Sequence, residues 1–360
     1  MKTMRTGSGG MDLDKKIVIN MLSSADKVEG QGVGSAYLEQ VNLVKEGASD
    51  LFTVEINSGK KADIIHSHTI DPQNYLKMKN NKNANVCYVH FLPDTLNGSI
   101  QLPKALFSVF KKYVISFYKT ADYLIVVNPI FMKELEKYGI AREKMIYIPN
   151  YVSKEQFYVK PVEQRNAIRE QYGIKADDFV VIGVGQVQTR KGVLDFVDVA
   201  KKLPDVRFVW CGGFSFGKIT DGYEELKKVV ENPPANVQFP GIIPRSDMND
   251  IYNMADVLFM PSYNELFPMA ILEAVNLHRP MVLRSLELYE DILFKKYQMA
   301  DDNDSFAELI RRLHEDPVYY ARCAADSAYI SEYYSKENVL SIWKEFYTRV
   351  YEELQERKRG

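Results

Sequence analysis

Hydrophobic positions fall in short unbroken runs, each bounded by polar or turn residues. The first half of the chain carries them at 17–21, 51–56, 62–65, 86–89, 123–127 and 145–148. Runs of this length fit strands and are too short for helices. Helical patterns fill most of the gaps, among them 36–46 and 103–119. A second series begins at 179–183 and continues through 206–211, 237–241, 256–260 and 281–283. Helices are expected over 193–202, 246–254, 305–315, 317–334 and 335–357, with Ser246 as an N-cap. Another is expected to open at Pro268, whose fixed φ and missing N–H suit a first helical position. It should close near Arg279, ahead of Pro280. Strands alternating with helices predict α/β architecture, with parallel sheets covered by helices on both faces. The charged, polar stretch 161–176 reads as a linker, and a length of 360 residues suits two domains.

The helix over 103–119 stands apart. Leu106, Phe107, Val109, Phe110, Tyr113, Val114, Phe117 and Tyr118 fall on one broad arc at about 100° per residue. Lys104, Lys111, Lys112 and Lys119 fall on the opposite arc, with Ile115 among them. A basic helix with an aromatic face predicts contact with an anionic membrane surface. Burial of the same face on the sheet is the alternative.

Composition narrows the classes. A net charge of −2 leaves no whole-chain basic field for nucleic acid. A hydrophobic share of 46% suffices for packed cores. No apolar run reaches the roughly 18 residues of a spanning helix. The three cysteines, Cys87, Cys211 and Cys323, lack metal-ligand spacing and are odd in number, which points to a reducing, cytoplasmic compartment. Residues 1–10 are polar and Gly-rich, with no apolar core for a secretory signal, and are left out of the fold.

Candidate chemistry clusters at the ends of the expected strands, where parallel sheets bind ligands. His66, His68, His90, Asn128 and Asn150 all follow strands of the first series. His66-Ser67-His68 hints at a metal, but adjacent strand positions alternate in face and no third ligand is evident. A core or capping role explains His90 as well as a catalytic one. Gly30-Gln31-Gly32-Val33-Gly34-Ser35 follows the first strand, with Gly32 and Gly34 in a loop that lets backbone approach a ligand. Its spacing is not the dinucleotide fingerprint, and no acidic residue ends the second strand to hold a ribose.

In the second half, Gly185 opens a turn that runs to Arg190, Lys191 and Gly192 before a helix. Two cations beside a glycine turn and a helix start suit a diphosphate. Glu265-Leu266-Phe267-Pro268-Met269-Ala270-Ile271-Leu272-Glu273-Ala274 then sets one carboxylate at a helix mouth and a second inside the helix. A helix N-terminus attracts anions through its free N–H groups and dipole. Carboxylates beside such a site do not bind the anion; they accept hydrogen bonds from hydroxyls, such as those of sugars.

The Glu265 to Glu273 stretch resembles the signature of the retaining family 4 glycosyltransferases, which have the GT-B fold of two Rossmann-like domains about a cleft. The resemblance implies Glu265 at the transferred sugar and Glu273 on the ribose hydroxyls. It implies His90 in Val89-His90-Phe91 as an active-site histidine, Gly32 and Gly34 in a loop facing donor and acceptor, and Gly185, Arg190 and Lys191 at the donor diphosphate. The chain departs from the family at Pro268, where a glycine is usual, and at Arg284-Ser285-Leu286, which replaces a Gly-rich loop. The resemblance implies an acceptor-facing domain over 11–165, a nucleotide-sugar domain over 166–335, and a last helix over 336–360 crossing back to the first.

With its basic aromatic helix, the chain looks like bacterial diacylglycerol glycolipid synthases. These are peripheral enzymes of the cytoplasmic membrane face that use UDP-galactose or UDP-glucose. Lys104, Phe107, Phe110, Lys111, Lys112, Phe117 and Lys119 would then meet anionic lipids. Cations and helix N–H groups stabilise the leaving diphosphate, so no metal is required. Asp301-Asp302-Asn303-Asp304 reads as a turn and not as a metal pair. A soluble or polysaccharide acceptor is one alternative. A catalytically silent binding subunit is another, against which the intact Glu265, Glu273, Arg190 and Lys191 stand.

Overall fold

The computed structural model describes residues 16–24, 32–90, 92, 103–215, 217 and 220–360. The apolar runs of the first half become β1 (Ile17–Leu22), β2 (Phe52–Ile56), β3 (Ile64–Ser67), β4 (Ala84–Val89), β5 (Tyr123–Val126) and β6 (Met145–Tyr147). They form one six-stranded parallel sheet in the order β2-β1-β3-β4-β5-β6. Helices α1 (Gly32–Gly47), α2 (Pro72–Asn80), α3 (Lys104–Lys119) and α4 (Ile130–Lys137) connect these strands. Every residue of β4 is buried, as expected of a strand covered on both faces.

The second series gives β7 (Val180–Val184), β8 (Arg207–Cys211), β9 (Val237–Gly241), β10 (Val257–Met260), β11 (Met281–Arg284) and β12 (Gln298–Ala300). This sheet is also six-stranded and parallel, in the order β12-β11-β10-β7-β8-β9. Its helices are α5 (Val162–Gln171), α6 (Val193–Lys202), α7 (Tyr223–Glu231), α8 (Met248–Met254), α9 (Met269–Asn276), α10 (Glu287–Ile292), α11 (Asn303–Glu315), α12 (Pro317–Tyr333) and α13 (Lys336–Arg359). The last helix packs against α1 and β4. Trp343 and Tyr347 of α13 are buried in one core cluster that also holds Ile19 of β1 and Ile271 of α9.

Several expectations are corrected. The stretch 161–176 is no linker: Arg165 and Arg169 of α5 reach Asp256 at 2.5 and 2.8 Å, and α5 packs on α8. Helix α1 begins at Gly32, so Gly32 and Gly34 lie in its first turn rather than in a loop; Gly30 and Gln31 fall outside the described residues. Ser246 sits in a 3-10 turn ahead of α8, where Asp247 holds the cap position. Pro268 caps α9 from just outside, with extended backbone, instead of opening it. Helices α7 and α10 and the edge strand β12 lie where no element was expected.

The amphipathic face of α3 divides along its length. Val114, Phe117 and Tyr118 are fully packed inside, whereas Leu106 and Val109 are 58% and 66% exposed. Phe117 is therefore a core residue and not a membrane contact. Phe107 and Phe110 are half-buried, and Lys112 and Lys119 are exposed. Lys111 lies 5.0 Å over the Tyr138 ring. The Lys104 side chain falls outside the described residues.

Candidate active site

Glu265 leaves β10 through the turn at Pro261-Ser262 and lies buried at the mouth of α9. Lys191 Nζ stands 2.5 Å from Glu265 Oε1, and Arg190 Nη1 stands 3.9 Å from Oε2. Arg190 also donates to the Asn264 carbonyl at 3.0 Å. Two glycines make this approach possible. Gly185 passes beside the Lys191 stem, and its φ of +148° disfavours any other residue. Gly192, at φ +70°, turns the 3-10 segment Thr189–Lys191 into α6, and a Cβ there would strike the Pro261 carbonyl.

Burial alone would raise the Glu265 carboxyl, but Lys191, Arg190 and the Ser262 hydroxyl more than offset it and hold it below its usual range. For Lys191 the balance tips the other way: burial and neighbouring Arg190 push it down against the pull of Glu265. The two shifts differ on whether the charged pair is favoured. The short contact sides with an ionised Lys191 and Glu265.

Glu273, inside α9, is also buried. Its Oε1 accepts from Arg245 Nη1 at 2.7 Å and its Oε2 from the Tyr252 hydroxyl at 2.6 Å. Arg245 reaches on to Glu39 of α1, with Nη2 at 2.5 Å from Oε1, and lies 5.1 Å over the Phe157 ring. Burial works against the Arg245 cation, but the Glu273 and Glu39 carboxylates raise its pKa overall. For Glu39 burial dominates and raises the carboxyl despite Arg245.

The end of the N-terminal sheet is different in kind. His90 stacks on Tyr88 at 4.4 Å between centroids, and His66 stacks on His68 at the same distance. His66 and His68 thus share one face. Burial pushes both His66 and His90 down to about 3, and His68 down as well, so all three imidazoles are neutral. His66 Nδ1 meets the Tyr347 hydroxyl at 2.6 Å, while both ring nitrogens of His68 and Nε2 of His66 and of His90 are buried without a partner among the described residues. No group of three metal-ligating side chains occurs among the described residues.

The structure therefore joins Arg190, Lys191, Gly185 and Glu265 in one cluster and sets Glu273 in a second. His90 follows β4 of the other sheet, and Gly32 and Gly34 start the helix that carries Glu39. Sequence reasoning missed Arg245, Tyr252 and Glu39. No spacing links them, because Arg245 and Glu39 lie 206 positions apart. It also missed Tyr289 of α10, whose hydroxyl is buried without a partner; burial and the nearby Glu265 charge push its phenol up.

The family described as "Glycosyl transferases group 1" matches residues 164–328, and "Glycosyltransferase Family 4" matches 51–156. Alpha-galactosylglucosyldiacylglycerol synthase of Streptococcus pneumoniae is 45% identical over 337 residues, 93% of this chain and 90% of its own length. This chain is a family 4 glycosyltransferase. It is a hexosyltransferase with GT-B architecture. The processive diacylglycerol alpha-glucosyltransferase of Acholeplasma laidlawii is 27% identical over 79% of the glycosyltransferase and 84% of its own length. Anabaena HepE, solved in complex with UDP and glucose, superposes with a TM-score of 0.74 at 16% identity, covering 92% of this chain and 99% of its own. Sucrose-phosphate synthase of Thermosynechococcus elongatus gives 0.75 at 16% identity, over 93% and 99%. At such identities these two speak for the fold alone. No helix among the described residues is long and apolar enough to cross a membrane.

Proposed function

We propose that this enzyme transfers galactose or glucose from its UDP-sugar to a glycosyl-diacylglycerol, with retention of configuration. One observation carries the reading: Lys191 and Arg190 converge on Glu265 at the mouth of α9, in a chain 45% identical to a glycolipid synthase. On this reading the diphosphate draws Lys191 and Arg190, with Gly185 giving the room. The Glu265 carboxylate is then free to accept from a hydroxyl of the transferred hexose. Glu273 accepts from the ribose hydroxyls. His90, neutral and half-buried, serves the acceptor side through N–H or ring-nitrogen hydrogen bonds and not as an acid at neutral pH. The two cations neutralise the leaving UDP, so no metal is needed.

The first sheet, with α13 laid back on it, forms the acceptor unit, and the second sheet forms the donor unit. The enzyme works as a peripheral protein on the cytoplasmic face. Leu106 and Val109 of α3, flanked by Phe107, Phe110 and Lys112, meet the anionic lipid surface. The test is UDP release from UDP-galactose and UDP-glucose in EDTA, with and without vesicles containing glucosyl-diacylglycerol. Release that depends on the glycolipid, with an α-linked product, is expected. Release driven equally by a soluble glycan, or lost in EDTA and restored by manganese, would contradict the reading.

A further inference from the structure

The loop that carries Glu265 is gripped from the opposite sheet. Asn128 follows β5, and its Nδ2 donates to the Leu266 carbonyl at 3.3 Å and to the Leu288 carbonyl at 2.8 Å. Asn150, beyond β6, donates from Nδ2 to the Phe267 carbonyl at 2.9 Å. Both asparagines are buried, Asn128 at 1% and Asn150 at 6% exposure. Each is itself fixed: Asn128 Oδ1 accepts from the Ile130 N–H at 3.1 Å, and Asn150 Oδ1 accepts from the Tyr88 hydroxyl at 3.1 Å. Tyr88 in turn stacks on His90. A continuous chain therefore runs from His90 through Tyr88 and Asn150 to Phe267, two residues from Glu265.

A trans peptide points its C=O and N–H in opposite directions, and this chain has no cis bonds among the described residues. With the Leu266 carbonyl held by Asn128, the Phe267 N–H faces away from Asn128. No acceptor for that N–H is present among the described residues. Pro268 supplies no N–H, so the direction of the Phe267 donor is all the more decisive for this loop. We propose that Asn128 and Asn150 are positioning residues that act across the two halves. They fix the backbone from Glu265 to Phe267, so that the N-terminal half shapes the site of the donor hexose. The inference rests on the reading of Glu265 as the sugar-facing carboxylate. It adds that this carboxylate and the Phe267 N–H are set only when the halves are together.

The test compares full-length wild type with Asn128→Asp, Asn150→Asp and the two Ala variants. Aspartate keeps the shape and the Oδ1 acceptor but cannot donate, and it turns a carboxylate towards carbonyl oxygens. A buried carboxylate is costly in any role, so the Ala variants, which remove the donor without adding a charge, carry the decision. UDP affinity should stay within about twofold, since neither asparagine bonds to Arg190, Lys191 or Glu273. The added affinity of UDP-hexose over UDP should vanish and kcat should fall about tenfold, in line with the loss of one hydrogen bond's worth of positioning. If the Asp variants fail to fold, the Ala variants give the same readout. Wild-type kcat in the variants, or equal losses for UDP and UDP-hexose, would overturn the clamp. A second readout separates this from the functional reading: spin labels at exposed Lys137 and Lys201 should report a broader distance distribution in the Asn128→Asp, Asn150→Asp double variant. An unchanged distribution would overturn the clamp, whereas a wild type that turns over no UDP-hexose would overturn the functional reading.

Discussion

The carboxyl ends of the two sheets face each other but use opposite chemistry. On the C-terminal sheet the groups are ionic: Lys191, Arg190 and Glu265 in one cluster, Arg245 and Glu273 in the next. On the N-terminal sheet they are neutral and aromatic: His66, His68, Tyr88 and His90, with ring centroids 4.4 to 5.8 Å apart. On the proposed reading the difference is a division of labour. A diphosphate brings negative charge and needs fixed cations in a site of low dielectric. On that reading the acceptor brings only hydroxyls, and half-buried His90, backed by the buried rings of Tyr88, His68 and His66, can meet them without a net charge.

The sharpest way to break this comparison is to remove its central carboxylate. Glu265→Gln should lower kcat by about 10²-fold or more, as loss of one stabilising group in an active site does. It leaves Lys191 buried without its partner, so stability should fall by about 3 kcal/mol. UDP affinity should not weaken, because Lys191 is then free for the diphosphate. Kinetics, calorimetry and thermal melts on one preparation check all three. A UDP affinity that falls in step with kcat would place Glu265 at the nucleotide instead.

The neutral end has its own signature in pH. His66 and His90 titrate near 3 when folded, against an ordinary value of 6.5. The unfolded chain therefore takes up protons first as the pH falls. Their contribution to stability is complete above about pH 6.5 and is lost progressively down to about pH 3. At pH 5 each costs about 2 kcal/mol. Melting temperature should drop clearly between pH 7.5 and 5, and His90→Phe should soften the drop. An acid response unchanged in that variant would mean other groups govern it.

A smaller effect distinguishes the two halves by their surfaces. Lys111→Glu with Lys112→Glu should release the protein from anionic vesicles at low salt, at about 1 kcal/mol per lysine. Leu106→Ser with Val109→Ser should weaken sedimentation with vesicles even at high salt, where charge is screened. Both should leave UDP binding intact. Sedimentation like wild type in both variants would remove α3 from the membrane.

Much of this was legible in the sequence. Strands covered on both faces write themselves as unbroken apolar runs, and β1 and β4 to β11 lie within a few residues of those runs. Helix α5 was hidden because the side chain it buries most deeply is an arginine: Arg169, held by Asp256 and by the carbonyls of Met254, Ala176 and Asp178. A buried ion pair leaves no hydrophobic stripe to read. The edge strand β12 buries only Ala300, too little to mark a strand. On α3 the periodicity was right, but periodicity says which residues share a face and not what covers it. That Arg190, Lys191 and Glu265 would meet was legible because Lys191 follows a glycine turn and Glu265 precedes a helix. The partners that hold the Glu265 loop, Asn128 and Asn150, and those that hold Glu273, Arg245 and through it Glu39, lie far away in the chain, and only the fold brings them in.

The claim at the centre of this account is that the C-terminal cluster reads a diphosphate. The most direct measurement titrates UDP and uridine, in parallel, into wild type, Arg190→Ala and Lys191→Gln. Each variant should lose at least tenfold in UDP affinity, on the order of 1.4 kcal/mol, and bind uridine like wild type. Equal losses for both ligands would show that Arg190 and Lys191 support the fold and do not hold the phosphates.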